Sequence, residues 1–204
     1  MWLDLQIRRT MRAAGQTFQL DISARCTQPR VVLFGPSGAG KSLTLKSIAG
    51  LLRPDDGHIR LHDAALFDAA QGVDLPPRRR QLGYVFQDYA LFPHLTLRQN
   101  VAFGLQRGLF NPRRTARVSA VEHWLDALRI AHVADLLPVE ASGGQRQRTA
   151  LARALVTQPR ALLLDEPFAA LDHALRDHLR EELAAVLDDT GIPLLLISHD
   201  PQDV

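Results

Sequence analysis

The sequence predicts an α/β fold: a parallel-stranded core, an N-terminal antiparallel β subdomain and an inserted helical subdomain. Three observations carry this. Val31–Phe34, Ala161–Leu164 and Leu194–Ile197 are continuous apolar runs without polar alternation, as in strands buried on both faces. Between the last two, residues 174–188 place Leu175, Leu179, Leu183 and Leu187 four apart, a crossover helix of the kind parallel strands require. Between the first run and an apolar helical segment stands the glycine-rich turn Gly35-Pro36-Ser37-Gly38-Ala39-Gly40-Lys41-Ser42.

Each element follows in turn. Leu3, Leu5 and Ile7 alternate with polar residues, as do Phe18, Leu20 and Ile22. The two segments are expected to pair as an antiparallel hairpin across residues 12–16, at a sheet edge. The helix opening at Ser42 stops near Gly50, before the turn Arg53-Pro54-Asp55-Asp56-Gly57. Ile59 and Leu61 mark another short strand, Pro76-Pro77 breaks the chain, and Leu82–Phe86 is a strand that ends at Gln87. From residue 96 to 138 the strand signals fade. Residues 116–128 carry Val118, Val121, Leu125 and Leu128 at helical spacing. Residues 88–148 are therefore expected to form a helical subdomain inserted into one domain spanning 1–204.

At 204 residues and 46% hydrophobic, the chain suits one large α/β domain or a domain with an inserted lobe. A net charge of +2 gives little reason to expect nucleic acid as a partner. Lys41 and Lys46 are the only lysines, so arginine supplies the positive charge; Arg8-Arg9, Arg78-Arg79-Arg80 and Arg113-Arg114 read as solvated faces. One cysteine, Cys26, excludes an internal disulfide and agrees with a reducing compartment. The first residues lack the basic and apolar regions of a signal peptide, and no run approaches 18 apolar residues. Any membrane role is expected to come through a partner.

The turn at Gly35–Ser42 has the order of a phosphate cradle: strand, glycine loop, helix. Its glycines let backbone N–H groups converge on a phosphate chain. Lys41 can reach the β- and γ-phosphates and Ser42 can ligate Mg²⁺. Asp165-Glu166 closes an apolar strand, where open α/β sheets bind ligands. An acidic pair there calls for a cation; Asp165 would orient Mg²⁺ and Glu166 would polarise an attacking water. Ser142-Gly143-Gly144-Gln145 has the form of a capping box with exposed amides, a second anion site. One lysine-and-metal set beside two anion sites suggests that the second serves another subunit's nucleotide. His199, after the strand Leu194–Ile197, stands at the same sheet edge and could hydrogen-bond a γ-phosphate or position water.

Taken together these residues resemble the ATP-binding cassette (ABC) family, the motor subunits of membrane transporters, across essentially the whole chain. Gly35–Ser42 is similar to its phosphate loop and Gln87 to its Q-loop glutamine. Residues 141–148 resemble its signature, Leu162–Pro167 its Mg²⁺ and base motif, Ala170-Leu171-Asp172 its D-loop, and Ser198-His199-Asp200 its switch histidine. The resemblance implies a P-loop NTPase (RecA-like) core that hydrolyses ATP with Mg²⁺. Glu166 and His199 would be catalytic, and Ser42, Gln87 and Asp165 would serve the metal. It also implies a head-to-tail homodimer with ATP between Gly35–Ser42 of one subunit and Ser142–Gly144 of the other. Gln87 would sense the γ-phosphate, and residues 88–95 would dock transmembrane permease subunits at the cytoplasmic face of a bacterial inner membrane. A periplasmic substrate-binding protein would be an indirect partner.

Ala141 replaces the leucine usual before the signature serine, a change at an apolar position. Where many members carry an adenine-stacking aromatic, this sequence has Met11-Arg12; Phe18 is near but reads as core. The chain stops five residues after His199, where members of the family it resembles normally continue, several importer ATPases with a regulatory domain. Residues 78–96 are similar to importer ATPases for molybdate, sulfate and related oxyanions, the molybdate type most. Import of sulfate, iron, polyamine or sugar, and a soluble non-transport cassette, remain as alternatives.

Overall fold

The structure is a computed structural model describing residues 1–13, 16–106, 110–114, 117–169 and 173–203. It divides into two compact units, Met1–Leu82 with Pro193–Val204, and Gly83–Ile192.

In the first unit, β1 (Leu3–Ala13) and β2 (Gln16–Cys26) form the expected hairpin. With β4 (Asp56–Leu61), β5 (Ala64–Asp68) and β6 (Val73–Asp74) they make a five-stranded sheet ordered β2-β1-β4-β5-β6, with β2 at its edge. Leu3, Leu5 and Ile7 are buried, as the alternation requires, with Ile59 and Leu61 opposite. The reading of the sequence missed β5 and β6: Ala64-Ala65-Leu66-Phe67 does not alternate, and β6 has two residues. β3 (Arg30–Phe34) pairs in parallel with β9 (Leu194–Ser198). β9 is buried throughout, but β3 is half-exposed and Phe34 is 53% exposed. The expectation of burial on both faces is corrected: β3 is the end strand of its sheet. Helix α1 (Lys41–Ala49) ends on Gly50 in the left-handed region (φ 79°), and the short α2 (Pro77–Arg80) precedes β7 (Leu82–Val85).

The second unit holds β7 and β8 (Ala161–Asp165), neighbours in one sheet, with β8 wholly buried. Its helices are α3 (Leu97–Phe103), α4 (Ser119–Ala127), α5 (Gly143–Leu155) and α6 (His173–Thr190). α3 and α4 pack against α5. Val121, Leu125 and Leu128 are buried as their spacing predicts; Val118 precedes the first turn of α4 and is exposed. Leu179, Leu183 and Leu187 form the buried stripe of α6. Arg98 ties the helices together through ion pairs to Glu122 and Asp135. No helix among the described residues is long and apolar enough to cross a membrane.

Candidate nucleotide site

The first unit holds Gly35–Ser42 and His199. Parallel pairing sets Phe34 opposite Ser198, so Gly35 and His199 leave the same end of two adjacent strands. Pro36, Ser37, Gly38 and Ala39 are exposed, and Gly40 is buried beneath β2. Gly40 adopts φ 89°, and a Cβ there would meet Leu20 at 2.7 Å and Phe18 at 3.3 Å. The left-handed backbone favours glycine, and any side chain there would have to displace the tip of Leu20. The same geometry places Phe18, half-buried rather than in the core, beside the loop. Lys41 Nζ donates to the carbonyls of Gly35 (2.6 Å) and Pro36 (2.9 Å), which holds the ammonium over the loop. Thr44 N–H and Oγ1–H both donate to Gly40 C=O, fixing the first turn of α1. An exposed loop, a cation above it and the positive end of a nine-residue helix fit a phosphate chain.

The far end of α1 is secured by Arg80, whose side chain is fully buried. It donates to the carbonyls of Ser47 (2.7 Å), Ile48 (2.9 Å) and Leu75 (2.7 Å), and pairs with Asp74 (3.1 Å). Reading Arg78–Arg80 as a solvated face is thus corrected for Arg80: a guanidinium with all these partners can be buried, while Arg78 and Arg79 are exposed. A Cβ on Gly50 would lie 2.6 Å from Arg80 Nε, so the turn and the clamp share their space.

The second unit holds Gln87, Ser142–Gln145, Asp165 and Glu166. Asp165 ends β8, buried, and accepts a hydrogen bond from Tyr84 Oη on β7 (3.2 Å). Burial, and then the Asp165 charge, push the Tyr84 phenol well above its ordinary range. Glu166 follows with φ 47°, an uncommon conformation for a non-glycine residue and one that clusters at functional sites. Gln87, exposed, follows β7 after Phe86. Ser142 and Gln145 form the predicted capping box: Gln145 N–H donates to Ser142 Oγ (3.3 Å) and Ser142 N–H to Gln145 Oε1 (2.9 Å). Ser142 is exposed and Ala141 buried, which agrees with a packing role for the latter. Ala170-Leu171-Asp172 lies outside the described residues.

Residues 88–95, expected to dock a permease, are only partly open. Tyr89 is buried, and Phe92 is half-buried against Phe103. Apolar side chains in this short loop find cover in the helices of their own unit; Asp88, Ala90, Pro93 and His94 are the exposed ones. Three residues that organise these elements escaped the sequence reading: Tyr84, Arg80 and Arg153. Each is a polar group with at least one carbonyl or carboxylate partner more than 30 residues away, and periodicity carries no signal for that.

The sequence profile described as ABC transporter matches residues 20–169. The chain belongs to the ABC transporter family. Among relatives, the cassette is 44% identical over 196 residues to the "Molybdate/tungstate import ATP-binding protein WtpC" of Archaeoglobus fulgidus, covering 96% of this chain and 77% of that one. It is 42% identical over 202 residues to the "Molybdenum import ATP-binding protein ModC" of Rhodospirillum rubrum, covering 99% and 52%. It is 46% identical over 173 residues to the "Sulfate/thiosulfate import ATP-binding protein CysA" of Synechocystis, covering 85% and 46%. The chain thus spans about half the length of the two bacterial proteins. The fold matches the dimeric post-hydrolysis structure of the ATP-binding cassette MJ0796 bound to ADP and Pi, with TM-score 0.78 and 26% identity, over 98% of this chain and 89% of that one. The α/β cassette fold expected from the sequence is the one found.

Proposed function

We propose that the chain is the ATP-hydrolysing subunit of a membrane importer for molybdate or tungstate. The observation that carries the activity is the loop Gly35–Ser42 on β3, with Lys41 held over it and His199 leaving the neighbouring strand at the same end. The named relatives support the substrate class, two by molybdate or molybdenum import; the sulfate importer relative supports a second oxyanion as the alternative. The domain is read as one cassette over 1–204, with residues 88–148 as its helical subdomain.

Lys41 and the loop amides bind the phosphate chain. Ser42, Gln87 and Asp165 offer a hydroxyl, an amide oxygen and a carboxylate, an all-oxygen donor set suited to Mg²⁺. That ion, when bound, neutralises charge building on the phosphates. Tyr84 holds the Asp165 carboxylate in place by its hydrogen bond. Glu166 takes the proton from the attacking water, and His199 orients the γ-phosphate or that water. Ser142–Gln145 engages the nucleotide of a second copy, so the working unit is a homodimer. The exposed part of residues 88–95 docks a transmembrane permease at the cytoplasmic face of the membrane. The permease receives substrate from a binding protein outside.

ATP titration of the full-length protein and its Lys41→Ala variant tests the core of this reading. The loop has one mobile cation, and the helix dipole contributes only about half a charge. The variant is expected to lose measurable ATP binding. Affinity near that of the unaltered protein would refute the assignment.

A further inference from the structure

The loop that follows Gln87 is locked to the helix that begins at the signature. Tyr89 and Ala90 adopt left-handed conformations, φ 64° and 43°. Non-glycine residues stay there only where their surroundings over-determine the backbone. The surroundings here come from Arg153, near the end of α5. Its Nη2 donates to Tyr89 C=O (2.7 Å) and its Nη1 to Ala90 C=O (2.8 Å), and the guanidinium lies over the Phe92 ring, 5.8 Å from its centroid. One planar fork thus grips two successive carbonyls and one ring, which an ammonium cannot reproduce.

The next residues are held as firmly. Asn100 on α3, fully buried, accepts from Phe92 N–H (2.8 Å), and its two amide hydrogens are shared among the carbonyls of Phe92 (3.2 Å), Leu95 (3.1 Å) and Thr96 (3.1 Å). Asn100 fixes the loop to its neighbouring helix, while Arg153 fixes it to α5. The other end of α5, about 16 Å away along the helix axis, is the capped turn Ser142–Gln145. Tyr89 also lies close enough to Arg146, in the first turns of α5, to sense its charge.

We propose that Arg153 is a positioning residue: by gripping the Tyr89 and Ala90 carbonyls it joins the loop after Gln87 to α5, so that the loop and the Ser142–Gln145 turn move as one body. A displacement at the loop is thereby delivered to the second anion site without any contact between Arg153 and nucleotide. This rests on the reading that Ser142–Gln145 engages ATP and that the loop meets a partner. The link itself is a property of the loop and α5, and can be measured without either ligand.

The test compares the full-length protein with Arg153→Met and Arg153→Lys. Amide hydrogen exchange is followed over residues 87–95 and 142–147 without nucleotide, alongside thermal unfolding and steady-state ATPase kinetics. Arg153→Met is expected to speed exchange of residues 87–95 at least ~10-fold and to lower kcat ~10-fold, with KM for ATP within about two-fold, because no nucleotide contact is lost. Arg153→Lys should fall between the two, and it carries the test if Arg153→Met does not fold. Loop exchange unchanged in a folded variant would overturn the grip. Faster loop exchange with unchanged kcat would overturn the positioning role and leave a structural contact. Absence of ATP turnover in the unaltered protein would refute the proposed function; the exchange data would then still decide whether Arg153 holds the loop.

Discussion

Replacing Arg80 by methionine should destabilise the protein by about 2–5 kcal/mol, chiefly the cost of leaving backbone acceptors without their donor. The magnitude can be built from its contacts. The guanidinium is fully buried and serves four groups: the carbonyls of Ser47, Ile48 and Leu75, and the Asp74 carboxylate. Ser47 C=O also accepts from Gly50 N–H (3.2 Å), and Asp74 retains Arg53 at 3.5 Å, so these two keep a partner. Ile48 and the partly exposed Leu75 lose their arginine donor, at about 1–3 kcal/mol for a buried acceptor left unsatisfied and less for one that water can reach. Loss of a positive group at the C-terminus of α1 adds about 0.3–1 kcal/mol. Methionine fills much of the volume, so the loss is polar rather than a cavity. Urea denaturation of both proteins gives the difference directly, provided the slope is unchanged. Arg80→Lys, with one ammonium for four acceptors, should recover only part of it. A loss under 1 kcal/mol for Arg80→Met would refute the clamp and with it the account of how α1 is held.

Tyr84→Phe should alter the alkaline limb of stability. Burial and Asp165 raise the Tyr84 phenol above its unfolded value of about 10. The folded state therefore holds the proton more tightly, a contribution fully present below pH ~10 and lost as pH rises through the folded value. Denaturation between pH 8 and 11 should show a flatter decline for the phenylalanine variant; identical slopes would contradict a buried Tyr84 phenol held above its unfolded value. Ser142→Arg removes a cap worth about 1 kcal/mol and puts a bulky cation where a second copy's nucleotide is proposed to lie. ATP binding should persist while ATPase activity loses its dependence on protein concentration; a rate equal to that of the unaltered protein would contradict a site acting in trans.

Much of this architecture was legible because burial and backbone chemistry leave marks at fixed spacing. Leu179, Leu183 and Leu187 of α6, the alternation of β1 and the Ser142/Gln145 cap are local patterns, and the structure reproduces each; the Leu175 side chain lies outside the described residues. The glycine loop was legible for a similar reason: Gly40 answers to its own φ and to the two side chains above it. What escaped depends on residues far apart in the chain. β6 is too short for any period to register. Arg80 and Arg153 look like ordinary surface charges until the carbonyls they serve are known, and those lie 5 to 33 residues away for Arg80 and 63 to 64 for Arg153. Tyr89 looks exposed because its neighbours in sequence are polar or small, yet it is covered by its own unit.

Glu166 is proposed to remove a proton from water beside ATP held by two copies of the cassette. Glu166→Gln keeps the size and hydrogen-bonding reach of the side chain but cannot accept that proton. Lys41, Ser42 and Asp165 are untouched, so ATP binding should survive while hydrolysis falls by the ~10²–10⁴ expected for a general base. Unhydrolysed nucleotide then stabilises the paired state by mass action. Size-exclusion chromatography with light scattering, on the full-length variant in ATP, should show a dimer where the unaltered protein is mostly monomeric. A variant that turns over ATP at close to the unaltered rate and stays monomeric would contradict the account and shift attention to His199.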